Sequence, residues 1–457
     1  MSKIYDIAIL GSGPGGYVAA LRGAMLGMSI CLIEKGEIGG VCLNAGCIPT
    51  KTLLKSAHLL DEIKGASVFG IKADNIDFDF RAMMQRKENV VEQFKKGILY
   101  LLKKRGVDIV KGLGKITGLN TIEVQGQIIE FKKCIIAVGS KPLELPGIRF
   151  NEQSGILSSR DILKLKDVPK SFLIIGGGVI GCEFADIFNS LGCDITIMEL
   201  TDQILPKEDI EIARNLEKEL KKKGIKIFTK TNVTLINKIA GGGFEVQTED
   251  GKTVECEKIL LSVGRSSRGL DCAIDSVGIK HVNGTIEVNN SMQTNIENFY
   301  AVGDVIGKTY LAHGASHEAI AAVENIAGNS FKINYNIVPR CVYTDPEVAS
   351  VGMSEAMARQ SNIKIKVGKF PLVANGRAVV ENKAQGMVKL ISDSKDNIIG
   401  GALCLSHASE LIHELCVAMQ SGIKAEKFTE IIHAHPTISE SIMEAAMDIS
   451  SKAIHKL

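Results

Sequence analysis

The stretch IYDIAILGSGPGG, residues 4–16, decides the fold, because a β-rich apolar run passes directly into closely spaced glycines. The segment YVAALRGAMLG that follows has helical composition, and SICLIEK after it is again strand-like. A strand, a glycine-rich turn, a helix and a second strand make up the unit that binds a dinucleotide in doubly wound α/β folds. The pattern therefore predicts a Rossmann-like domain at the start of the chain.

The same plan occurs a second time within residues 171–200, as SFLII, GGGVIG, CEFADIFNSLG and CDITIMEL. Each copy contains the G-x-G-x-x-G pattern and an acidic residue 23 positions beyond its first glycine. A single motif of this kind is as often an ordinary tight turn, but its place between a strand and a helix makes both copies persuasive. The residues are Gly11, Gly13, Gly16 and Glu34 in the first copy, and Gly176, Gly178, Gly181 and Glu199 in the second.

The glycines and the acids have separate tasks at a dinucleotide. The glycines allow the turn, the approach of backbone to a pyrophosphate and close packing of helix on strand, while the acid accepts hydrogen bonds from ribose hydroxyls. After Glu199 no lysine or arginine occurs before Lys207, so a 2′-phosphate would face a carboxylate. The second copy is predicted to prefer NAD to NADP, and two copies predict two dinucleotides, FAD and a nicotinamide coenzyme.

Three further apolar runs, CIIAVGSKP, ILLSVGRSS and NFYAVGDV, each end in glycine followed by a polar residue. A strand that ends on glycine beside a cofactor allows the backbone to approach it closely. Gly139, Gly264 and Asp304 are therefore candidate cofactor contacts, with Asp304 placed to hydrogen-bond a polyol. Taken alone, each run is equally typical of a buried parallel strand that ends in a turn.

The segment GGVCLNAGCIPTK holds two cysteines five positions apart, in a chain whose eleven cysteines do not form a secreted disulfide pattern. On a regular helix this spacing gives ~140° of rotation and ~7.5 Å of rise, so a Cys42–Cys47 disulfide would distort the start of a helix. Gly46 permits such a distortion. A strained, accessible pair is the labile kind, and Lys51 one turn further favours a thiolate. The segment predicts a redox pair, because a zinc site would lack two ligands.

Composition restricts the classes of function. The 457 residues are 45% hydrophobic, 23% charged and 5% aromatic, with a net charge of +2. These values are typical of a globular enzyme of three or four domains and do not favour nucleic acid as a partner. No apolar run reaches the ~18 residues of a membrane span, and the N-terminus is strand-like, so a cytoplasmic protein or a mature organellar matrix form is expected.

The segments GSGPGG, GGVCLNAGCIPTK, GGGVIG, AVGDV and the C-terminal HAHPTISE together resemble the class I pyridine nucleotide-disulfide oxidoreductases over essentially the whole chain. The resemblance implies two Rossmann-like domains that bind FAD and NAD, and a C-terminal α+β dimerisation domain. The implied limits are 1–143 for the FAD domain, 144–270 for the NAD domain, 271–336 for a central domain that completes the FAD-binding region, and 337–457 for the interface domain.

The resemblance also implies roles for individual residues. Cys47 would lie next to the flavin as the charge-transfer thiol, and Cys42 would exchange with the substrate. Lys51 and Glu183 resemble the family's ion pair near the flavin N5 and the nicotinamide. The segment YLAHGASHEA is similar to the start of a helix at the flavin pyrimidine edge, where the ring would be approached by Leu311, Ala312 and His313.

Dithiol chemistry also requires an acid–base group, because a thiol of pKa ~8.5 is only a few per cent thiolate at neutral pH. The segment HAHPTISE offers His433 and His435. The resemblance selects His435, which would reach into the active site of the partner subunit of a homodimer. Glu440, five positions on, would orient the imidazole and favour its charged form.

Within the family, the motifs resemble most closely the members that oxidise dihydrolipoamide with NAD⁺ and need no metal. The implied partners are a second copy of the chain and a lipoylated acyltransferase or carrier protein of 2-oxo acid dehydrogenase or glycine cleavage complexes. One alternative is a glutathione-reductase-like enzyme, which CLNAGCIPTK and Glu199 disfavour. The other is a non-catalytic flavin-binding subunit, which Cys42, Cys47 and His435 disfavour. Two departures from the family pattern, Ser266–Ser267 and His317, concern flavin and central-domain contacts.

Overall fold

The computed structural model describes residues 3–150 and 155–456. Its strands are β1 (Ile4–Leu10), β2 (Ile30–Glu34), β3 (Asp108–Lys111), β4 (Gly114–Gly118), β5 (Thr121–Val124), β6 (Gln127–Ile136), β7 (Ser140–Pro142), β8 (Ile156–Leu157), β9 (Ser171–Ile175), β10 (Asp194–Met198), β11 (Lys226–Phe228), β12 (Val233–Lys238), β13 (Phe244–Thr248), β14 (Thr253–Cys256), β15 (Lys258–Leu261), β16 (Arg265–Ser267), β17 (His281–Val282), β18 (Thr285–Ile286), β19 (Phe299–Ala301), β20 (Arg340–Val342), β21 (Glu347–Gly352), β22 (Ile365–Pro371), β23 (Met387–Asp393) and β24 (Ile398–Leu405). Its α-helices are α1 (Pro14–Met25), α2 (Gly40–Ala45), α3 (Cys47–Lys64), α4 (Phe80–Lys104), α5 (Val179–Ser190), α6 (Ile210–Lys222), α7 (Ala312–Ile326), α8 (Glu355–Gln360), α9 (Gly376–Val380), α10 (Ala408–Gln420), α11 (Ala425–Phe428) and α12 (Glu440–Asp448). Among these residues, no helix has the length and apolar character needed to cross a bilayer.

The first sheet is built around β1 in the parallel order β3-β2-β1-β6, with β19 pairing parallel to β6. Its central strands are continuous apolar runs, as expected where helices cover both faces. A Cβ on Gly16 would lie 1.8 Å from the carbonyl oxygen of Gly11, so only glycine lets α1 pack this closely on the end of β1. The first glycine motif therefore sets the position of α1 on the sheet.

The second sheet repeats this arrangement in the parallel order β11-β10-β9-β15-β8. The glycine motif connects β9 to α5, and α6 ends with Lys221 and Lys222 in its last turn. The prediction of two Rossmann-like units is confirmed. The first sheet also carries β5 and β4 as antiparallel strands beyond β6. The strands named above run parallel in both sheets, so each sheet presents their carboxyl ends at one edge, which is where ligands bind in such folds.

The C-terminal part is an antiparallel sheet in the order β20-β21-β24-β23-β22, with α10 packed against β21 and β24 and α12 against β22 and β23. The predicted α+β domain is thereby confirmed. The segment between the second Rossmann-like sheet and the C-terminal sheet returns to the first sheet, since β19 pairs with β6 and α7 packs on α1. The four domain limits stay predictions, and residues 1–2 and 457 at their outer ends lie outside the described residues.

A buried lysine joins the second Rossmann-like unit to the C-terminal sheet. The Lys389 ammonium on β23 lies 2.9 Å from Asp209 and 2.6 Å from Glu211, both at the start of α6, and 2.8 Å from Glu355, while only 2% of its side chain is exposed. Removing one partner of a buried ion pair leaves uncompensated charge, which costs far more than breaking an exposed pair.

We therefore expect Lys389→Met to lower the free energy of unfolding by about 3–5 kcal/mol. The matched control is Lys366→Met on the neighbouring strand β22, since Lys366 is 47% exposed and pairs with Asp396 at 3.0 Å. We expect this variant to lose less than about 1 kcal/mol. Urea denaturation of the two variants and the unsubstituted protein measures both values, and equal losses would contradict the prediction.

Candidate active site

A cavity of about 2200 Å³ lies where the carboxyl ends of the first and second sheets face each other. An ordinary small-molecule pocket encloses roughly 300–1,000 Å³, so this cavity has room for more than one large ligand. It is lined by both glycine motifs, by the cysteine segment and by the start of α7. The structure thus brings together side chains from distant parts of the sequence.

Glu34 is held in place at the end of β2 by the glycine turn. One carboxylate oxygen accepts hydrogen bonds from the backbone N–H and the hydroxyl of Ser12, at 2.8 and 2.7 Å, and the other accepts from the N–H of Gly36 at 2.6 Å. A carboxylate can accept about four hydrogen bonds, two at each oxygen, so the oxygen bound by Gly36 retains capacity toward a ligand.

Glu199 has the same arrangement in the second copy. The N–H of Gly177 donates to one oxygen at 2.6 Å, and the N–H and hydroxyl of Thr201 donate to the other at 2.8 and 2.9 Å. In both copies the acid is bound by the residue after the first glycine and by the residue two positions beyond the acid. The repeat seen in the sequence is therefore repeated at the level of hydrogen bonds.

Both glycine turns leave space for a phosphate. The second glycine of each motif precedes the first helical residue and lines the cavity: Gly13 before α1 and Gly178 before α5. A Cβ on Gly178 would meet nothing within 4 Å, and one on Gly13 would meet its nearest atom at 3.9 Å. Open backbone at a helix N-terminus fits an anionic pyrophosphate. The donor set and the space at both turns thus fit two dinucleotides.

The remaining predicted cofactor residues also line the cavity. These are Gly139, Gly264, Asp304, Leu311, Ala312 and His313. Helix α7 begins at Ala312, so its N-terminus opens on the cavity as the sequence predicts. His317 points elsewhere, with its Nδ1 at 3.1 Å from the carbonyl oxygen of His313.

The sequence analysis missed the contacts that hold Asp304. Its carboxylate accepts a hydrogen bond from the Ser140 hydroxyl, and Arg265 donates to that hydroxyl at 2.7 Å. Buried Glu318 accepts from the N–H of Gly303 at 2.7 Å and so fixes the same loop from α7. A sequence signal for Glu318 exists, because it is an acid at the start of the otherwise apolar helical run EAIAAV.

Cys42 and Cys47 lie on two different helices rather than on one. Cys42 is in α2, Cys47 begins α3, and the chain breaks between them at Gly46. A Cβ on Gly46 would lie 3.0 Å from the carbonyl oxygen of Val41 and 3.4 Å from the Cα of Cys42, so the close approach favours glycine. This break brings the two side chains within hydrogen-bond reach of each other, and both are free thiols in this structure.

The pKa values of the two thiols are shifted in opposite directions. The hydrogen bond from Cys42 lowers the pKa of Cys47 against the effect of burial, and the positive charge of Lys51 lowers it further. The same hydrogen bond, together with burial, raises the pKa of Cys42. Cys47 is therefore the thiol that ionises first, stabilised by a neighbouring donor and a nearby ammonium.

Lys51 and Glu183 form an ion pair beside the cysteines. The Lys51 ammonium lies 2.8 Å from both carboxylate oxygens of Glu183, whose side chain is buried. Lys51 comes from α3 and Glu183 from α5, so the pair connects the two Rossmann-like units at the cavity. The sequence placed these residues only through the family resemblance, since 132 positions separate them.

His435 lies outside the cavity of its own chain. Its side chain is 78% exposed, and its Nδ1 is 2.9 Å from Glu440. Partial burial opposes ionisation of Glu440, but hydrogen bonds from the Thr437 N–H and from His435 outweigh it and lower the Glu440 pKa. The competing His433 packs on Phe428 and contacts the Ile431 carbonyl oxygen at 2.9 Å. Of the two histidines, His435 is the one that another molecule can reach.

Comparison with known proteins decides the family. Residues 5–319 match the family described as pyridine nucleotide-disulphide oxidoreductase, and residues 338–446 match the dimerisation domain of the same family. The chain belongs to this family. It is therefore a flavoprotein disulfide oxidoreductase whose cofactors are FAD and NAD. The match to a dimerisation domain indicates that this chain forms a dimer.

Individual relatives cover the whole length. This chain is 40% identical over 476 aligned residues to a dihydrolipoyl dehydrogenase of Bacillus subtilis, and the alignment covers 100% of both chains. It is 39% identical to the mitochondrial dihydrolipoyl dehydrogenase of Pisum sativum, covering 98% of this chain and 92% of the relative.

Solved structures show the same fold. LpdA from Mycobacterium tuberculosis superimposes with a TM-score of 0.89 at 27% identity, covering 96% of this chain and 98% of LpdA. The HOCl-induced flavoprotein disulfide reductase RclA from Escherichia coli superimposes with a TM-score of 0.86 at 28% identity, covering 97% of this chain and 99% of RclA.

Proposed function

We propose that this enzyme oxidises protein-bound dihydrolipoyl groups to lipoyl groups with NAD⁺ as the acceptor, and that Cys42 and Cys47 form its redox disulfide. The observation that carries the proposal is the position of this cysteine pair, which lines one cavity together with two dinucleotide-binding turns. Four relatives at 38–40% identity that are named dihydrolipoyl dehydrogenase support the choice of substrate.

The thiol steps follow from the unequal acidities of the pair. A dihydrolipoyl thiol loses its proton to the His435 imidazole, and the resulting thiolate attacks Cys42 in the Cys42–Cys47 disulfide. Cys47 leaves as a thiolate, which is the better leaving group because its pKa is the lower of the two. The second dihydrolipoyl thiol then attacks the substrate sulfur of the mixed disulfide, and its proton passes to Cys42 as Cys42 leaves. Cyclic lipoyl is released, and the enzyme holds a Cys42 thiol, a Cys47 thiolate and a protonated His435.

The residues of the two turns hold the cofactors. Bound FAD supplies the two-electron carrier between sulfur and nicotinamide. Gly13 and the N-terminus of α1 would bind its pyrophosphate, Glu34 its adenosine ribose and Asp304 its polyol chain. In the second unit, Gly178 and Glu199 would do the same for NAD. Lys51, Glu183 and the start of α7 would surround the reacting ring.

The position of His435 supports a second copy of the chain as a partner. An exposed histidine that is absent from the cavity of its own chain fits a homodimer in which His435 and Glu440 complete the partner subunit's site. The substrate would arrive on a lipoylated acyltransferase of a 2-oxo acid dehydrogenase complex or on the carrier of a glycine cleavage system. The enzyme would then act in the cytoplasm or in an organellar matrix.

Four assays of the purified holoenzyme test the proposal. We expect NADH-dependent reduction of lipoamide to exceed NADPH-dependent reduction of oxidised glutathione and NADH-dependent reduction of oxygen by at least about 100-fold in kcat/KM. NADPH should replace NADH poorly with lipoamide, because its 2′-phosphate would face the Glu199 carboxylate. Comparable rates with NADPH and glutathione would instead identify a glutathione-reductase-like enzyme.

A further inference from the structure

The ammonium of Lys51 is held from two sides. On one side it contacts both oxygens of Glu183 at 2.8 Å. On the other it lies 4.5 Å from the centroid of the Tyr343 ring, which is within the range of a cation–π interaction. Because 31% of the Lys51 side chain is exposed, the ring restrains an ammonium that would otherwise be free to turn toward water.

Tyr343 touches both members of the ion pair. It follows directly after β20, is half-buried and lines the cavity. Its backbone N–H donates to Glu183 at 3.1 Å, while its ring contacts Lys51. The C-terminal sheet thus supplies the third side of a contact otherwise made between the two Rossmann-like units.

A ring holds this ammonium in a way that a second carboxylate could not. Glu183 already raises the pKa of Cys47, in opposition to Lys51, which lies one helical turn after Cys47 on α3. Another anion beside Lys51 would remove the remaining positive field at the sulfur. The face of an aromatic ring attracts the ammonium without adding a net charge, so the field of Lys51 at Cys47 persists.

We propose that Tyr343 is a positioning residue for the redox thiol: the face of its ring keeps the Lys51 ammonium beside Cys47. The proposal rests on the proposed function, in which Cys47 is the thiolate of the reduced enzyme. Tyr343 acts through Lys51, and its phenol stays protonated at neutral pH, because burial raises its pKa. Its phenol hydroxyl makes no hydrogen bond within the part of the chain that the structure describes, so the ring alone carries the effect.

Other charged and titratable groups also face this site and stay constant in the test. Cys42 donates to Cys47, and Arg265 lies near enough for the two to interact electrostatically. Around the Tyr343 phenol the other such groups are Cys341, Glu347 and Glu183. None of them is altered by replacing the ring.

The test measures the acidity of Cys47 directly in the reduced holoenzyme. In a Cys42→Ser background, where the serine hydroxyl keeps a donor toward Cys47, the rate of iodoacetamide alkylation of Cys47 is followed against pH by peptide mass spectrometry. We expect Tyr343→Leu to raise the apparent pKa of Cys47 by about half a unit to one unit. Tyr343→Phe, which keeps the ring, should leave the profile unchanged.

A series of fluorinated phenylalanines at position 343 separates the ring's charge distribution from its shape. Each added fluorine weakens the attraction of the ring face for a cation at nearly constant size, so the apparent pKa of Cys47 should rise step by step along the series. A flat series, or equal shifts for Tyr343→Leu and Tyr343→Phe, would overturn the proposal. Turnover of Cys47→Ser reports on the proposed function separately, since the alkylation profile does not depend on lipoamide chemistry.

Discussion

Cys47→Ser is expected to reduce NADH-dependent lipoamide reduction by at least about 10⁴-fold, because a serine cannot form the redox disulfide. The structure gives Cys47 the acidity that its role needs, through the hydrogen bond from Cys42 and the charge of Lys51. A serine hydroxyl titrates far above the pH range of the enzyme, so neither contact can make it a leaving group. The loss should appear in kcat, with FAD content and dimer mass unchanged.

A second cysteine variant controls for general effects of losing a thiol. Cys416 is half-buried on α10, and burial raises its pKa, but it does not line the cavity. We expect Cys416→Ser to retain activity within about threefold, as is usual for a substitution away from the reacting groups. If Cys47→Ser kept full turnover with lipoamide, the electron path through sulfur would be wrong.

The parts of the site that could be predicted are those set by local sequence. The glycine turns and their acids lie within about one supersecondary unit, so spacing alone predicts that Glu34 and Gly13 face the same ligand. The structure adds why the spacing matters, since Ser12 and Gly36 bind the Glu34 carboxylate through groups fixed by the same turn. Local pattern and tertiary contact agree here.

The cysteine pair was predicted as a redox pair, but its backbone could be predicted only as a distorted helix. Spacing on an ideal helix describes one axis, whereas the chain forms two helices that meet at Gly46. The break depends on the contact of Gly46 with the backbone at residues 41 and 42. A periodicity argument contains no information about such a contact.

Contacts between distant segments could not be predicted from spacing, and the Lys51–Glu183 pair was expected only through the family resemblance. Tyr343 bonds to Glu183 across 160 positions, and Lys389 pairs with Asp209 across 180. Hydrophobic patterning indicates which segments are buried but not which residues they will meet. The same limit applies to His435, whose exposure on its own chain becomes informative only once the cavity is known to exclude it.

His435→Gln is expected to lower lipoamide turnover by about 10²–10⁴-fold, because glutamine cannot accept the substrate proton. The matched control is His433→Gln, since His433 contacts Ile431 and Glu414 of its own chain. We expect that variant to lose less than about tenfold, through altered packing rather than lost acid–base chemistry. Equal losses for the two histidines would contradict the assignment of His435.

Mixing two inactive variants distinguishes a histidine that acts on its own chain from one that acts on the partner subunit. In a dimer of one Cys47→Ser chain and one His435→Gln chain, the only site with both intact groups combines Cys47 of the second chain with His435 of the first. Random exchange of subunits at equal amounts should therefore restore about a quarter of the activity, from one site in each of the half of dimers that are mixed. Each homodimer alone should stay inactive. If His435 acted within its own chain, no mixed dimer would hold an intact site and mixing would restore nothing.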